Sequence, residues 1–229
     1  MFFEYGKAET DCLKSRDKKL GEIIERVGHV YRETDGDLFA AVVRHILGQQ
    51  ISAKAQQTLW GRLQEKLGVV NAQTLLDAGR EVIQGCGTTW RKTGYILAFA
   101  QKVHDGEFDI AAVKAMSDAD AIAALCALPG IGVWTAEMIL LFCLQRPDIL
   151  SFGDLAILRG MRMVYHHRKV TRALFEKYRR RYSPYGSVAS LYLWAVSHGG
   201  VPGFERDFAP MTAAQKKAAR KKRAASICK

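Results

Sequence analysis

The 229-residue chain has no long apolar run. The longest, Ala121 to Leu128, is eight residues, with Met138 to Leu144 next at seven, against the roughly 20 that a helix needs to cross a bilayer. No membrane span is expected. Cysteine is scarce and poorly spaced for chemistry, with five residues at 12, 86, 126, 143 and 228, an odd number with no close pair. A disulfide framework and a zinc site built on paired ligands are both unexpected, and a reducing interior fits best. Cys126 and Cys143 lie in apolar stretches and read as small core residues. The stretch after Met1 carries Glu4, Glu9 and Asp11. It lacks the basic start, apolar segment and small-residue cleavage site of a secretory signal, so a protein that is not exported is expected. Strict apolar/polar alternation is nearly absent and no repeat of 20 to 50 residues is evident, which argues against sheets and solenoids.

What the sequence does hold is apolar spacing of three and four. Leu20, Ile23, Ile24, Val27 and Val30 make one stripe; Phe39, Val42, Val43, Ile46 and Leu47 a second; Ile51, Ala55, Leu59, Leu63 and Leu67 a third. Further helices are predicted over about 73–84, 89–104, 118–127, 133–145, 154–166, 170–182 and 186–198, and the reading is all-α. With 48% hydrophobic and 25% charged residues, the chain can bury one core or two small lobes.

The net charge of +11 is unevenly placed. Residues 1–154 carry 17 Lys+Arg and 20 Asp+Glu, whereas residues 155–229 carry 17 and 3, so the two segments are −3 and +14. Such polarisation makes a polyanion the leading partner. Nucleic acid stands ahead of anionic membrane because no strongly amphipathic Lys/Trp helix marks a lipid-facing surface. A solubilising basic face is the alternative reading of the same charge. From Met211 onward seven basic residues and no acidic ones occur, and residues 211–229 are expected to form a mobile basic tail.

The most informative stretch is Leu128-Pro129-Gly130-Ile131-Gly132-Val133-Trp134-Thr135-Ala136-Glu137. Two helices meet at a short Gly-x-Gly turn, which permits close backbone approach and leaves the first N–H groups of the second helix pointing outward. A DNA phosphate could accept those hydrogen bonds, with Gly130, Gly132, Val133 and Thr135 as the contacting backbone. An ordinary αα-hairpin turn would look the same in isolation.

The hairpin does not stand alone. It is preceded by Phe39 through Gly48-Gln49-Gln50-Ile51-Ser52-Ala53-Lys54-Ala55 and by Arg91-Lys92-Thr93-Gly94-Tyr95-Ile96. It is followed by Gly153-Asp154-Leu155-Ala156, with Asp154 twenty residues after Trp134, and by Ser187 to Trp194. This ordered set, over about residues 20–200, resembles the helix-hairpin-helix DNA glycosylase superfamily, and within it the monofunctional 3-methyladenine DNA glycosylase II branch.

The resemblance implies an HhH-GPD glycosylase domain over 1–210 with an active-site cleft between two helical lobes, one of about 1–33 plus 150–210 and the other of about 34–149. It implies Asp154 as the essential carboxylate, a base pocket drawn from Trp134, Trp194, Met138, Leu155 and Phe39, and a minor-groove wedge at or beside Gln50. Two-domain bacterial members carry aromatics where this chain has Met138 and Leu155, and they add an N-terminal β-rich domain not expected here.

The chemistry of the residues runs alongside. Cleaving an N-glycosidic bond builds positive charge on the sugar, which a fixed carboxylate at Asp154 can stabilise; the same residue could simply cap the helix after it. Trp134 stands where bifunctional relatives carry a Schiff-base lysine, and an indole cannot form that adduct. Indoles at 134 and 194 suit a cationic alkylated purine, although Trp194 also fits a core stripe with Leu191 and Ala195. Gln49, Gln50 and Ser52 lie between two helices, where they could enter a groove or merely cap. Lys92 is expected to touch phosphate or solvent rather than take part in the chemistry.

His166-His167 lacks further ligands, so no metal site is expected, although hairpin carbonyls could hold a structural cation. An iron–sulfur cluster is not expected because only Cys228 stands where related proteins carry four C-terminal cysteines. The reading is therefore a cofactor-free hydrolase that excises 3-methyladenine and 7-methylguanine from damaged double-stranded DNA. It is expected to act as a monomer, cytoplasmic at a bacterial nucleoid or nuclear in a eukaryote. A glycosylase for deaminated or oxidised bases and a non-catalytic helix-hairpin-helix DNA-binding module are the alternatives.

Overall fold

The computed structural model describes residues 1–210; the predicted mobile tail at 211–229 lies outside the described residues. Twelve helices occur among the described residues: α1 Lys7–Arg16, α2 Lys18–Val27, α3 Leu38–Gly48, α4 Ala53–Leu67, α5 Ala72–Gln84, α6 Trp90–His104, α7 Ile110–Ala115, α8 Asp118–Cys126, α9 Val133–Phe142, α10 Leu155–Tyr165, α11 Arg172–Tyr182 and α12 Gly186–Ser197. The expected all-α class is observed, and no helix among the described residues is long and apolar enough to cross a membrane.

The chain divides into two compact units. One comprises Met1–Tyr5 and Tyr31–Gly153, with α3 to α9; the other comprises Gly6–Val30 and the chain from Asp154 onward, with α1, α2 and α10 to α12. Of the lobe expected over about 1–33 plus 150–210, residues 1–5, 31–33 and 150–153 fall in the other unit. Phe3 donates its N–H to Arg32 O at 2.8 Å, Thr34 donates to Met1 O at 2.9 Å, and Phe3 is buried. These bonds tie the N-terminal segment to the chain just before α3, a short antiparallel pairing too brief to leave a period-two pattern.

In the first unit, α3 buries Leu38, Phe39, Ala40, Ala41, Val42, Val43, Ile46 and Leu47, while Arg44 and His45 are half-buried. At roughly 1.5–3 kcal/mol per large buried side chain, it is the central contribution to that core. The helix α9 is similar, burying Ala136, Met138, Ile139, Leu140 and Leu141. The predicted helix at 73–84 is kinked where Gly79 takes φ 74 and ψ −179, a conformation that glycine adopts freely.

In the second unit, α10 lies so close to α12 that a Cβ at Gly160 would stand 2.3 Å from Leu193 O. Buried Asp17 caps α2 through Leu20 N–H and pairs with Arg181 of α11 at 2.7 Å, and Tyr165 and Tyr182 share a 2.5 Å hydroxyl contact. Two helices were not predicted. The helix α1 buries only Leu13, so it has no stripe to read, and six-residue α7 is too short to show a period.

Candidate functional site

Nine of the twelve helices begin with a side chain that accepts a hydrogen bond from their first turn; α9 does not, because its N-cap is Gly132. The first intrahelical bond of α9 runs from Ala136 N–H to Gly132 O. A helix start without a side-chain cap presents the positive end of the helix dipole, which suits an anion.

The hairpin's two glycines differ in what requires them. Gly130 has φ +85, and a Cβ there would lie 2.4 Å from the Tyr95 ring, so the protein itself demands glycine. Gly132 has ordinary extended φ/ψ (−99°, 171°), and a Cβ there would meet nothing within 4 Å; the space it leaves open is on the outside. Leu128 and Ile131 anchor the turn by burial, whereas Val133 and Trp134 remain 58% and 46% exposed. Thr135 is buried, so only its backbone remains for a phosphate contact.

From α9 the chain runs back to the end of the first unit along fixed points. Arg146 N–H bonds Leu140 O, the Arg146 guanidinium bonds Lys114 O and Met116 O, and fully buried Ser151 donates to the Glu137 carboxylate of α9. A Cβ at Gly153 would sit in ordinary contact, 3.6 Å from Trp134 Cβ.

The next residue, Asp154, opens the second unit as the N-cap of α10. Its Oδ1 accepts from Ala156 N–H at 2.8 Å and Ile157 N–H at 2.9 Å, and the side chain is 6% exposed. The capping role weighed from the sequence is thus present, and the helix dipole complements the charge of a carboxylate there. Leu155, one residue on, is 80% exposed. Trp194 on α12 is half-buried, and its carbonyl accepts from His198 Nδ1 at 2.7 Å.

Other predicted site residues take different places. Phe39 is buried, its ring stacked on Phe99 with centroids 4.9 Å apart. Met138 is buried in α9. Ser52 caps α4 by accepting from Ala55 N–H at 3.2 Å, and Gln50 is exposed with φ 59. Ile51, expected inside the third stripe, lies before α4 and is exposed.

Lys92 is engaged within the protein. Its ammonium donates to Leu47 O at 2.9 Å and Gln49 O at 2.6 Å, and burial lowers its pKa. The Gln49 amide in turn donates to Gly130 O at 2.6 Å, engaging one of the carbonyls that could hold a cation. Among the described residues no three His, Cys, Asp or Glu side chains are grouped to bind a metal. Sequence reasoning missed Tyr95 and the Glu137–Ser151 contact as parts of the site. The tight Gly-x-Gly turn was a signal that something large pressed on it, but nothing in the turn named Tyr95.

Comparison with known proteins adds relatives. A family model described as HhH-GPD superfamily base excision DNA repair protein matches residues 43–184. The DNA-3-methyladenine glycosylase 1 of Schizosaccharomyces pombe is 25% identical over 194 residues, spanning 81% of this chain and 85% of that protein. Among solved structures, a DNA-3-methyladenine glycosidase from Bacillus halodurans is similar with a TM-score of 0.78 and 30% identity over 86% of this chain and 92% of that one. The Schizosaccharomyces pombe 3-methyladenine DNA glycosylase in complex with abasic DNA shares the fold with a TM-score of 0.72 and 23% identity, over 84% and 97%.

Proposed function

This chain belongs to the HhH-GPD superfamily of base excision DNA repair proteins, and we propose that it is a monofunctional DNA glycosylase that hydrolyses the N-glycosidic bond of alkylated purines, 3-methyladenine and 7-methylguanine, in double-stranded DNA. The observation that carries the reading is Asp154, a carboxylate held in place by two α10 amides twenty residues beyond the hairpin tryptophan. Bond cleavage leaves oxocarbenium character on the sugar, and a carboxylate that need not reorganise stabilises it.

The uncapped start of α9 and the open space at Gly132 support a phosphate contact that places the duplex without reading its sequence. Exposed Trp134 offers an indole face to a flipped base, and a methylated purine, being cationic, gains a cation–π attraction that a normal base lacks. With an indole at the Schiff-base position, water is the acceptor of the sugar and the product is an intact abasic strand. In this reading the protein acts as a monomer without a cofactor, on the DNA of a nucleoid or nucleus.

The test is a panel of duplexes carrying 3-methyladenine, 7-methylguanine, hypoxanthine, ethenoadenine, uracil or 8-oxoguanine, followed by measurement of free base. Release of the methylated purines ahead of the rest is expected. Selective release of uracil or 8-oxoguanine would move the substrate to deaminated or oxidised bases, and no release from any duplex would leave a DNA-binding module.

A further inference from the structure

Lys92 sits in the first turn of α6, where a cation opposes the helix dipole. Its compensation lies across the fold, in the carbonyls of Leu47 and Gln49 at the C-terminal end of α3, where a cation is favoured. One turn further along α6, Tyr95 packs its ring against Gly130. The Gln49 side chain closes the arrangement by donating to Gly130 O at 2.6 Å. A single helix thus holds the loop after α3 with one residue and the hairpin with another, and Gln49 bonds the two together. The residue following Gln49 is exposed Gln50, in a left-handed conformation (φ 59) that a non-glycine residue keeps only when its surroundings enforce it.

We propose that Lys92 is a positioning residue that, through Gln49, sets where Gln50 stands relative to the phosphate-binding hairpin, so that seating of the hairpin on the backbone and entry of Gln50 beside the flipped nucleotide occur as one event. The inference rests on the glycosylase reading above. It assigns Lys92 an internal task in place of a DNA contact, and the two roles predict different measurements. A lysine that neutralises a phosphate contributes about 0.9 to the slope of log affinity against log salt; a lysine that holds the loop contributes nothing to it.

The experiment compares Lys92→Met, Lys92→Arg, Gln49→Ala and the Met/Ala double variant. Amide hydrogen exchange at residues 48–52 is measured in the free full-length protein, and affinity for a duplex with an abasic-site analogue is measured across a salt series. Lys92→Met should accelerate exchange at 48–52 by ~10-fold or more and leave the salt slope unchanged. It should slow single-turnover base release by ~10- to 100-fold, the scale of a small misplacement of reacting groups. Lys92→Arg, which keeps the charge and the donors, should restore most of both effects. Gln49→Ala should add little in the Lys92→Met background, because the two residues act through one chain of bonds.

A slope flattened by about 0.9, unaltered exchange at 48–52, or additive losses would each overturn the proposal. Should Lys92→Met fail to fold, Gln49→Ala decides alone, by faster exchange at 48–52 and at the hairpin amides or by no change in either. Exchange and abasic-duplex affinity require no base release, so they report on the interlock even if the substrate assignment fails.

Discussion

Replacing Asp154 by Asn isolates charge from shape. The native carboxylate does two things in the structure: it accepts N–H bonds from Ala156 and Ile157 at 2.8 and 2.9 Å, and it presents a buried negative group at the start of α10. An asparagine side chain retains an acceptor oxygen for the same two amides, and Asn ranks with Asp as an N-cap. Folding stability should therefore change by less than about 0.5 kcal/mol, whereas Asp154→Ala, which removes the cap, should cost about 1 kcal/mol and lower Tm by roughly 2–4 °C in a domain of this size. Catalysis should respond in the opposite pattern of sensitivity. Losing a preorganised electrostatic contact to the sugar cation is expected to slow base release at least ~100-fold, about 2.7 kcal/mol of barrier, in both variants. The assay is single-turnover release of 7-methylguanine from a defined duplex, with thermal melts of the same preparations. Near-normal release by Asp154→Asn would refute the assignment of the carboxylate; a melt as depressed as that of the alanine variant would refute the capping argument.

Four further expectations follow from particular geometry. Because Trp134 cannot form a Schiff base, borohydride should trap no protein–DNA adduct, and Trp134→Ala should reduce excision of cationic lesions more than of neutral hypoxanthine, measured side by side on matched duplexes. Gly130→Ala forces a Cβ to 2.4 Å from Tyr95 at a positive φ and should destabilise the fold by about 1–3 kcal/mol, while Gly132→Ala, meeting nothing in the protein, should leave the melting temperature unchanged and weaken duplex binding ~10-fold or more by obstructing a charge-assisted bond; equal melts for the two variants would contradict this. Asp207 accepts a bidentate pair of bonds from Arg162 that lowers its pKa. Its stabilisation should therefore be complete above the ordinary carboxyl value near 3.8 and fade as pH falls through the lowered folded-state pKa, so urea midpoints of wild type and Asp207→Asn should converge in acid. Deleting residues 211–229 removes seven of the chain's positive charges, and if three of them meet phosphate the salt slope of duplex binding should flatten by roughly 2.7; an unchanged slope would assign that segment no role on DNA.

The features legible in the sequence are those with a local cause. Amphipathic spacing marked α2, α3, α4 and the longer helices after them, because burying one stripe of a helix leaves its period in the chain. The Gly-x-Gly turn and the acidic residue before Leu155 were legible for the same reason: a turn and a cap are made by neighbours a few residues apart, and the structure shows Asp154 bonded to residues two and three positions on. Where local cause was weak, so was the reading. The helix α1, with Leu13 as its only buried residue, left no stripe. Phe39, within the run Leu38 to Val43 in which every residue is buried, carried no mark to separate a pocket wall from a partner of Phe99.

Long-range bonds have no local signature at all. Lys92 reads as one more basic residue beside Arg91, and its partner carbonyls lie 43 and 45 positions away. A backbone carbonyl is common to every residue, so no side-chain type at 47 or 49 announces that an ammonium will seek it. Gly130 likewise looks like any turn glycine until the Tyr95 ring, 35 positions earlier in the chain, occupies the space a Cβ would need. Helix period, turn and cap are written in neighbouring residues; which helix presses on which turn follows from how the apolar faces pack, and that packing set the Lys92 ammonium against the carbonyls at the end of α3.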